Sequence, residues 1–339
     1  MVDFNVTRRG ILMGVSAAGF ASLSGCNWLT KKPNVAINLR QEWFPYSGFA
    51  GEALAAANYA SEFGVTLNLL AGGETVDPIK MVLSRQDDMG VASGDILMKA
   101  IADGAPLVAI GVANDRSPTC FLSKTSSGIV KPQDFPGKRV GVLKGTNTER
   151  IYRLMLARNK INPADITEID APFELNTFIL GQYDVRPAFV YDEPVTLENS
   201  NIAVNTILPT DYGVNFVGTV YFTRREVIAQ RRDALVRTLA SLIAAWRATA
   251  TASGQHLAID ALKKAFPEID TARELNSLKI AAPYFGGPMG SNRPLTVTPS
   301  HLADTLAGLQ ELGEVKKPLQ ISQVWDESLL NEAYRLVKI

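Results

Sequence analysis

The stretch VTLNLLAGGETVDPIKMVLSRQDDMGVASGDILMKAIADGAPLVAIGV, residues 65–112, decides the fold. It opens on an alternating strand, VTLNLL, closed by Gly72 and Gly73. DPIKMVLSRQ then sets Ile79, Val82 and Leu83 at helical spacing on one face. DMGVASGD reads as a short buried strand, ILMKAIADG as a helix ending on Gly104, and PLVAIGVAN as a third strand. Strands that alternate with helices at this pace build a largely parallel, doubly wound sheet, because each parallel neighbour needs a crossover connection.

The rhythm extends both ways. Upstream, NVAINLRQEWF (34–44) alternates as a strand and a helix is expected over 51–63. Downstream, TCFLSK (119–124) is a strand, and a second α/β unit starts near Gly128. There FPGKRVGVLKGTNTERIYRLMLARN reads as strand, glycine-marked turn and helix; ITEIDAP and PAFVYDEPV are further strands, and VTLENS turns into a helix. VGTVYFTRREVIAQ leads into a long helix expected over 232–252. Its residues Leu235, Val236, Leu239, Leu242, Ile243 and Trp246 form one apolar stripe. Helical patterns over 257–265, 272–282, 299–312 and 327–337 complete the chain, with no internal repeat.

In open α/β sheets, ligands bind beyond the carboxyl ends of the strands. The loops just after each strand are therefore the candidate site. EWFPYSGF follows the first strand with four aromatics in eight positions, broken by Pro45 and Gly48. Aromatic faces there suit a flat heterocycle, and Trp43 and Tyr46 are the stacking candidates. Gly72, Gly73, Ser93 and Gly94 end the next two strands, each just before a helix, where backbone N–H groups favour acceptor or anionic groups. Asp95 reads as a helix N-cap. KGTNTE places Gly145, Thr146 and Asn147 before a helix in the second unit; it is not a P-loop, since no Gly-Lys-Ser or Gly-Lys-Thr follows. VYDEPV supplies Tyr191, Asp192 and Glu193, and PTDYGV adds Asp211 and Tyr212.

The N-terminus carries a different signal. Arg8 and Arg9 precede a charge-free run of 14 apolar or small residues, Gly10 to Leu23. That run is too short for a hydrocarbon core of ~30 Å. Basic residues, a short apolar middle and small residues at the end read as an export signal over 1–25. Leu23, Ser24, Gly25 and Cys26 resemble the lipobox of bacterial lipoproteins, in which the cysteine takes a diacylglycerol. TRRGIL resembles a twin-arginine export signal. Residues 26–34 are then a tether. Loss of 1–25 removes Asp3, Arg8 and Arg9, so a formal charge of zero becomes −1, with no general attraction to nucleic acid or anionic lipid. The mature chain, about 310 residues, suits two domains. Its other cysteine, Cys120, reads as a buried small hydrophobe.

The run EWFPYSGFAGEALAAANYASEFGVTLNLLAGGETVDPIKMVLSRQDDMGVASGDILMKAIADGAPLVAIGV, followed in order by FPGKRVGVLKGT, VYDEPVTLE and DYGV, resembles the thiamine-precursor-binding family of solute-binding proteins. That family is related to the alkanesulfonate, taurine and nitrate binding proteins of ABC importers. The likeness covers residues from about 35 to 250. It implies a two-lobe periplasmic-binding-protein type II fold, each lobe a doubly wound mostly parallel α/β sheet, with two hinge crossovers near 121–124 and 221–223. Lobe one would be 35–122 plus 223–339, and lobe two 123–222. It implies a small-molecule ligand clamped between the lobes and a permease in the inner membrane. It further implies an extracytoplasmic location held only by the lipid anchor, a monomer, and no metal or cofactor. The acid at the Glu193 position would accept hydrogen bonds from an aminopyrimidine edge, and this chain has Asp192 where several relatives carry asparagine.

Within that resemblance, alkanesulfonate, taurine or nitrate is the alternative ligand, using the glycine helix starts, and riboflavin-like rings fit the same aromatic logic. One branch of the family is enzymatic, making the thiamine pyrimidine from bound pyridoxal phosphate and a protein histidine, and carries a cysteine-rich iron motif. Here the only histidines are His256 and His301, both in C-terminal helical regions, and there is no cysteine cluster. The receptor reading is preferred over the synthase.

Overall fold

The computed structural model describes residues 34–337. Cys26, the export segment 1–25 and the tether up to residue 33 lie outside the described residues.

Among the described residues, ten strands form two five-stranded sheets. The first sheet holds β1 (Val35–Arg40), β2 (Val65–Leu70), β3 (Met89–Ser93), β4 (Leu107–Val112) and, from far along the chain, β10 (Thr219–Arg224), in the order β2-β1-β3-β10-β4. The second holds β5 (Thr119–Lys124), β6 (Arg139–Val142), β7 (Thr167–Asp170), β8 (Val185–Phe189) and β9 (Val204–Ile207), in the order β7-β6-β8-β5-β9. β1 runs parallel to β2 and β3, and β6 parallel to β7 and β8. One strand in each sheet is reversed: β10 is antiparallel to β3 and β4, and β5 to β8 and β9. The two lobes thus share one topology, each mostly parallel with one inserted antiparallel strand.

The sequence patterns follow from burial. All residues of β3 and β4 are buried, so these strands read as unbroken apolar runs: β3 is central, and β4, at the sheet edge, is covered by the chain at Leu295 and Trp325. β2 lies at the sheet edge and alternates. The helix Arg225–Ala248 buries its whole expected stripe against the first sheet. Its backbone departs from helical geometry at Arg231, one residue before the expected start. Trp246 stacks flat on Phe285 at 3.9 Å, and the face of Gly51 lies against that indole, where a Cβ would fall 2.2 Å from the ring.

Two expectations differ in detail. The helix expected over 51–63 is a 3₁₀ turn at Ser47–Phe49, an α-helix at Ala50–Leu54 and a π-helical turn at Ala55–Tyr59. The crossings expected near 121–124 and 221–223 fall inside β5 and β10. β5 pairs wholly within the second sheet and β10 wholly within the first. The chain therefore passes between sheets at 113–118 and at 208–218. The helix Pro299–Glu311 straps both passages. Asp115 accepts hydrogen bonds from the Thr298 amide and hydroxyl, while Asn215 N donates to Asp304 (2.8 Å) and Val217 N to Thr305 Oγ1 (2.9 Å). No helix among the described residues is long and apolar enough to cross a membrane.

Candidate functional site between the lobes

A cleft of about 680 Å³ opens between the two sheets. Its walls are the loops that follow six parallel strands, three from each lobe. The loop after β1 brings Glu42, Trp43 and Tyr46; that after β2, Gly73, Glu74 and Asp77; the end of β3, Ser93. Opposite them, the loop after β6 brings Thr146 and Asn147; that after β7, Phe173 and Glu174; that after β8, Phe189, Asp192 and Glu193. This is the strand-end geometry of open α/β sheets, doubled and turned face to face.

Aromatic faces span the gap. Trp43 of lobe one meets Phe173 of lobe two at 4.7 Å between ring centroids, with Phe44 edge-on behind it at 5.5 Å. Tyr46 is buried, with its ring stacked toward Tyr191 at 6.2 Å and Phe49 edge-on at 5.0 Å. Trp43, Tyr46, Phe173 and Phe189 all line the cleft, and Trp43 and Phe173 touch across it, so a planar solute has aromatic faces beside it.

The polar lining is acidic. Six carboxylates line the cleft (Glu42, Glu74, Asp77, Glu174, Asp192 and Glu193), and no lysine, arginine or histidine is among the lining residues. The nearest arginines are engaged with protein. Arg186 is fully buried, lies 3.5 Å from Glu193 and donates to the carbonyls of Phe173, Glu174 and Pro187. Arg273, reaching from the lobe-one helix Thr271–Phe285, binds Asp192, Thr196 and Glu274. Burial pushes the Glu42 carboxyl up to about 7, with the Asp95 charge adding to the rise and hydrogen bonds from Thr219 and Ser93 holding it down. Burial and the neighbouring Asp192 likewise raise Glu193 to about 7, against the pull of Arg186 and the Phe189 amide.

Of the fourteen strand-end residues named from sequence as candidates, nine line this cleft: Trp43, Tyr46, Gly73, Ser93, Gly145, Thr146, Asn147, Asp192 and Glu193. Five do not. Gly72 lies against the backbone of Gln41 and Glu42, where a Cβ would fall 2.4 Å from the Gln41 carbonyl oxygen. Gly94 donates its amide to Gly218 O at 2.8 Å. Tyr191 is buried among Tyr46, Phe189, Tyr284 and Phe285. Asp211 and Tyr212 sit in the short 3₁₀ turn Pro209–Tyr212 on the second passage, away from the lining.

The glycine helix starts are also less open than their sequence implies. Gly72 N donates to Trp43 O, Gly145 N to the Glu149 carboxylate and Thr146 N to Leu143 O. Thr146 Oγ1 donates to Leu143 O as well, at 2.7 Å. These donors serve the fold. Asp95 is not the cap: Ser93 holds that position, and the buried Asp95 carboxylate lies 3.3 Å from Arg150 of lobe two. Glu193 holds the Phe189 amide at 2.8 Å, so one of its oxygens is already used. Neither histidine lines the cleft; His301 bonds Asp115 O on the first passage. Among the described residues no group of acidic, histidine or cysteine side chains is placed to hold a metal ion. Cys120 is fully buried, and burial pushes its thiol well up.

Sequence reasoning does not single out Glu42, Phe173, Glu174 or Phe189. The strand-end rule that selects Trp43 applies equally to each of them, since Glu42 follows β1, Phe173 and Glu174 follow β7, and Phe189 ends β8.

Residues 50–253 match the family model described as "NMT1/THI5 like". No curated protein matches the chain. Among solved structures it is similar to the periplasmic aliphatic sulphonate binding protein SsuA from Escherichia coli, with 18% identity and a TM-score of 0.67 over 86% of this chain and 92% of that one. It is also similar to the periplasmic nitrate-binding protein NrtA from Synechocystis PCC 6803, with 13% identity and a TM-score of 0.69 over 90% of this chain and 89% of that one. A ligand-binding component of an ABC-type import system from Staphylococcus aureus matches at 13% identity and a TM-score of 0.67, over 88% and 99%. These likenesses show a shared two-lobe fold, and with the family model covering more than half of its length, the chain belongs to the NMT1/THI5-like family.

Proposed function

We propose that this protein is the solute-binding component of an ABC importer and captures a flat, amino-bearing heterocycle, such as a pyrimidine precursor of thiamine, between its lobes. One observation carries the choice of ligand: aromatic faces line a cleft whose charged side chains are all carboxylates. Aromatic faces accept a planar ring, and carboxylates accept the N–H groups at its edge. A sulfonate or nitrate needs the opposite lining. Six carboxylates repel it, and the amides of Gly72, Gly94, Gly145 and Thr146 are already bonded to protein acceptors. A riboflavin-like ring fits the cleft's aromatic faces but has fewer donors to offer six acids.

The fold shared with periplasmic binding proteins supports the receptor reading over an enzyme, as does a cleft without a histidine to attack a cofactor. We further place the chain outside the cytoplasm as a monomer, tethered through a lipid on Cys26 after twin-arginine or general export. Mass spectrometry of protein purified from its producing cells tests these statements together. The expected spectrum shows a diacylglyceryl mass on Cys26 and, on denaturation, release of a nitrogen-rich aromatic solute. A released sulfonate would overturn the ligand reading, and an unmodified N-terminus the anchor.

A further inference from the structure

Resting on the receptor reading above, we infer that Glu42 is a specificity-determining residue: it is the counter-ion for a positively charged amine carried by the solute. Glu42 stands two residues beyond the end of β1 and lines the cleft. Its Oε1 accepts from Thr219 Oγ1 at 2.9 Å, and Ser93 donates to it from the adjoining strand end. Both donors are neutral. The titratable groups that face Glu42 from the neighbouring elements are acids and phenols: Asp95 at the start of the helix Gly94–Ala102, Glu52 in the helix Ala50–Leu54, and Tyr46, Tyr191 and Tyr221. Arg150, which pairs with Asp95, is divided between Asp95 and Glu314.

Glu74 and Glu174 are exposed to water and Asp77 pairs with Lys80, so the contrast that singles out Glu42 is with the two other acids set into the cleft. Asp192 has Arg273 and Glu193 has Arg186, so both negative charges are met by the protein. Glu42 is held in position by hydroxyls and left without a cation in an aromatic-lined cleft. Burial, with the Asp95 charge beside it, holds its carboxyl up at about 7, and a cation in the cleft would favour the ionised form. An ammonium entering the cleft supplies the missing charge, forms charge-assisted hydrogen bonds and displaces little protein to do so. A permanently anionic solute meets an acid that no protein cation compensates. Glu42 thus separates amine-bearing rings from otherwise equal rings that lack the amine.

Calorimetry with a matched pair of probes tests this. The first is 4-amino-5-aminomethyl-2-methylpyrimidine, whose side-chain amine is charged at neutral pH; the second, 4-amino-2,5-dimethylpyrimidine, lacks that amine. The wild-type protein is expected to prefer the first by at least tenfold. Glu42→Gln should reduce that preference to within about threefold while changing affinity for the second probe by less than threefold. Thr219→Val, which removes the hydroxyl that orients Glu42 and no charge, should reduce the preference part of the way; it decides the matter if Glu42→Gln does not fold. A preference retained by both variants, or none in the wild type, overturns the role of Glu42 and leaves the receptor reading standing. Wild-type protein that binds neither probe overturns the heterocycle reading, and this inference with it.

Discussion

Glu52 is an acid with almost no access to water. It is 1% exposed, accepts from Gln41 Nε2 at 2.8 Å and is bonded by Tyr221, whose hydroxyl in turn accepts from Trp246 Nε1 at 2.9 Å. Burial raises its carboxyl to about 8, the bonds from Gln41 and Tyr221 pull it down, and the charge of Glu42 adds to the rise. The folded state therefore binds a proton that the unfolded chain releases near pH 4.5. Stability from the neutral acid is complete below that pH and is lost as pH rises toward about 8. Glu52→Gln keeps an acceptor for Gln41 and cannot ionise. Relative to wild type it should gain stability between about pH 5 and about pH 8.5. The gain is up to about 4 kcal/mol, since each tenfold change in proton activity is worth about 1.36 kcal/mol. Urea denaturation at the two pH values measures the difference, and an equal change at both would contradict the assignment. Nothing in AGEAL marks Glu52 as buried: its neighbours are small residues, and only the fold brings Gln41, Tyr221 and Trp246 around it. Trp43 and Tyr46 were legible because they combine chemistry with a strand-end position. Tyr191 and Gly94 have the same position but face the core or pair with backbone, which local sequence does not encode.

Among the secondary-structure elements, periodicity located most of the strands and helices, and the fully buried strands β3 and β4 were plain as short apolar runs. β9 is not legible because it is four residues long, half-exposed and at a sheet edge, so it lacks both alternation and a hydrophobic run. Assignment of β5 and β10 to sheets was not legible either. Strand propensity is local, whereas choice of sheet depends on partners distant in sequence. The helix Thr271–Phe285 illustrates a role that sequence conceals. From lobe one it reaches the start of the lobe-two helix Glu193–Asn199, with Arg273 on Asp192 and Thr196 and Ser277 Oγ on the Tyr191 carbonyl. These contacts hold the lobes together at one side of the cleft. The ion pair is partly exposed and worth on the order of 1 kcal/mol, enough to move an open–closed equilibrium about fivefold. Arg273→Ala should therefore increase the radius of gyration of the ligand-free protein in small-angle scattering, with compaction restored on saturation. Identical ligand-free profiles would show that this latch does not set the equilibrium.

Over the whole molecule, two lobes of one topology turn six strand ends toward each other, and the chain crosses between them at 113–118 and 208–218 under a strap from the helix Pro299–Glu311. Fold class was legible because the β–α alternation runs through both halves. Cleft charge was not. It is a sum over loops separated by as many as 151 positions, from Glu42 to Glu193, while the chain's formal charge is zero. An evenly balanced sequence has concentrated carboxylates in the cleft between its lobes. Solute charge is therefore the property that decides what this cleft holds. Calorimetric titration of the wild-type protein at neutral pH with 4-amino-5-aminomethyl-2-methylpyrimidine and, separately, with an alkanesulfonate reads it directly. Saturable binding of the aminopyrimidine with no measurable heat from the sulfonate is the expected outcome; saturable binding of the sulfonate alone would overturn the assignment of this cleft to amine-bearing rings.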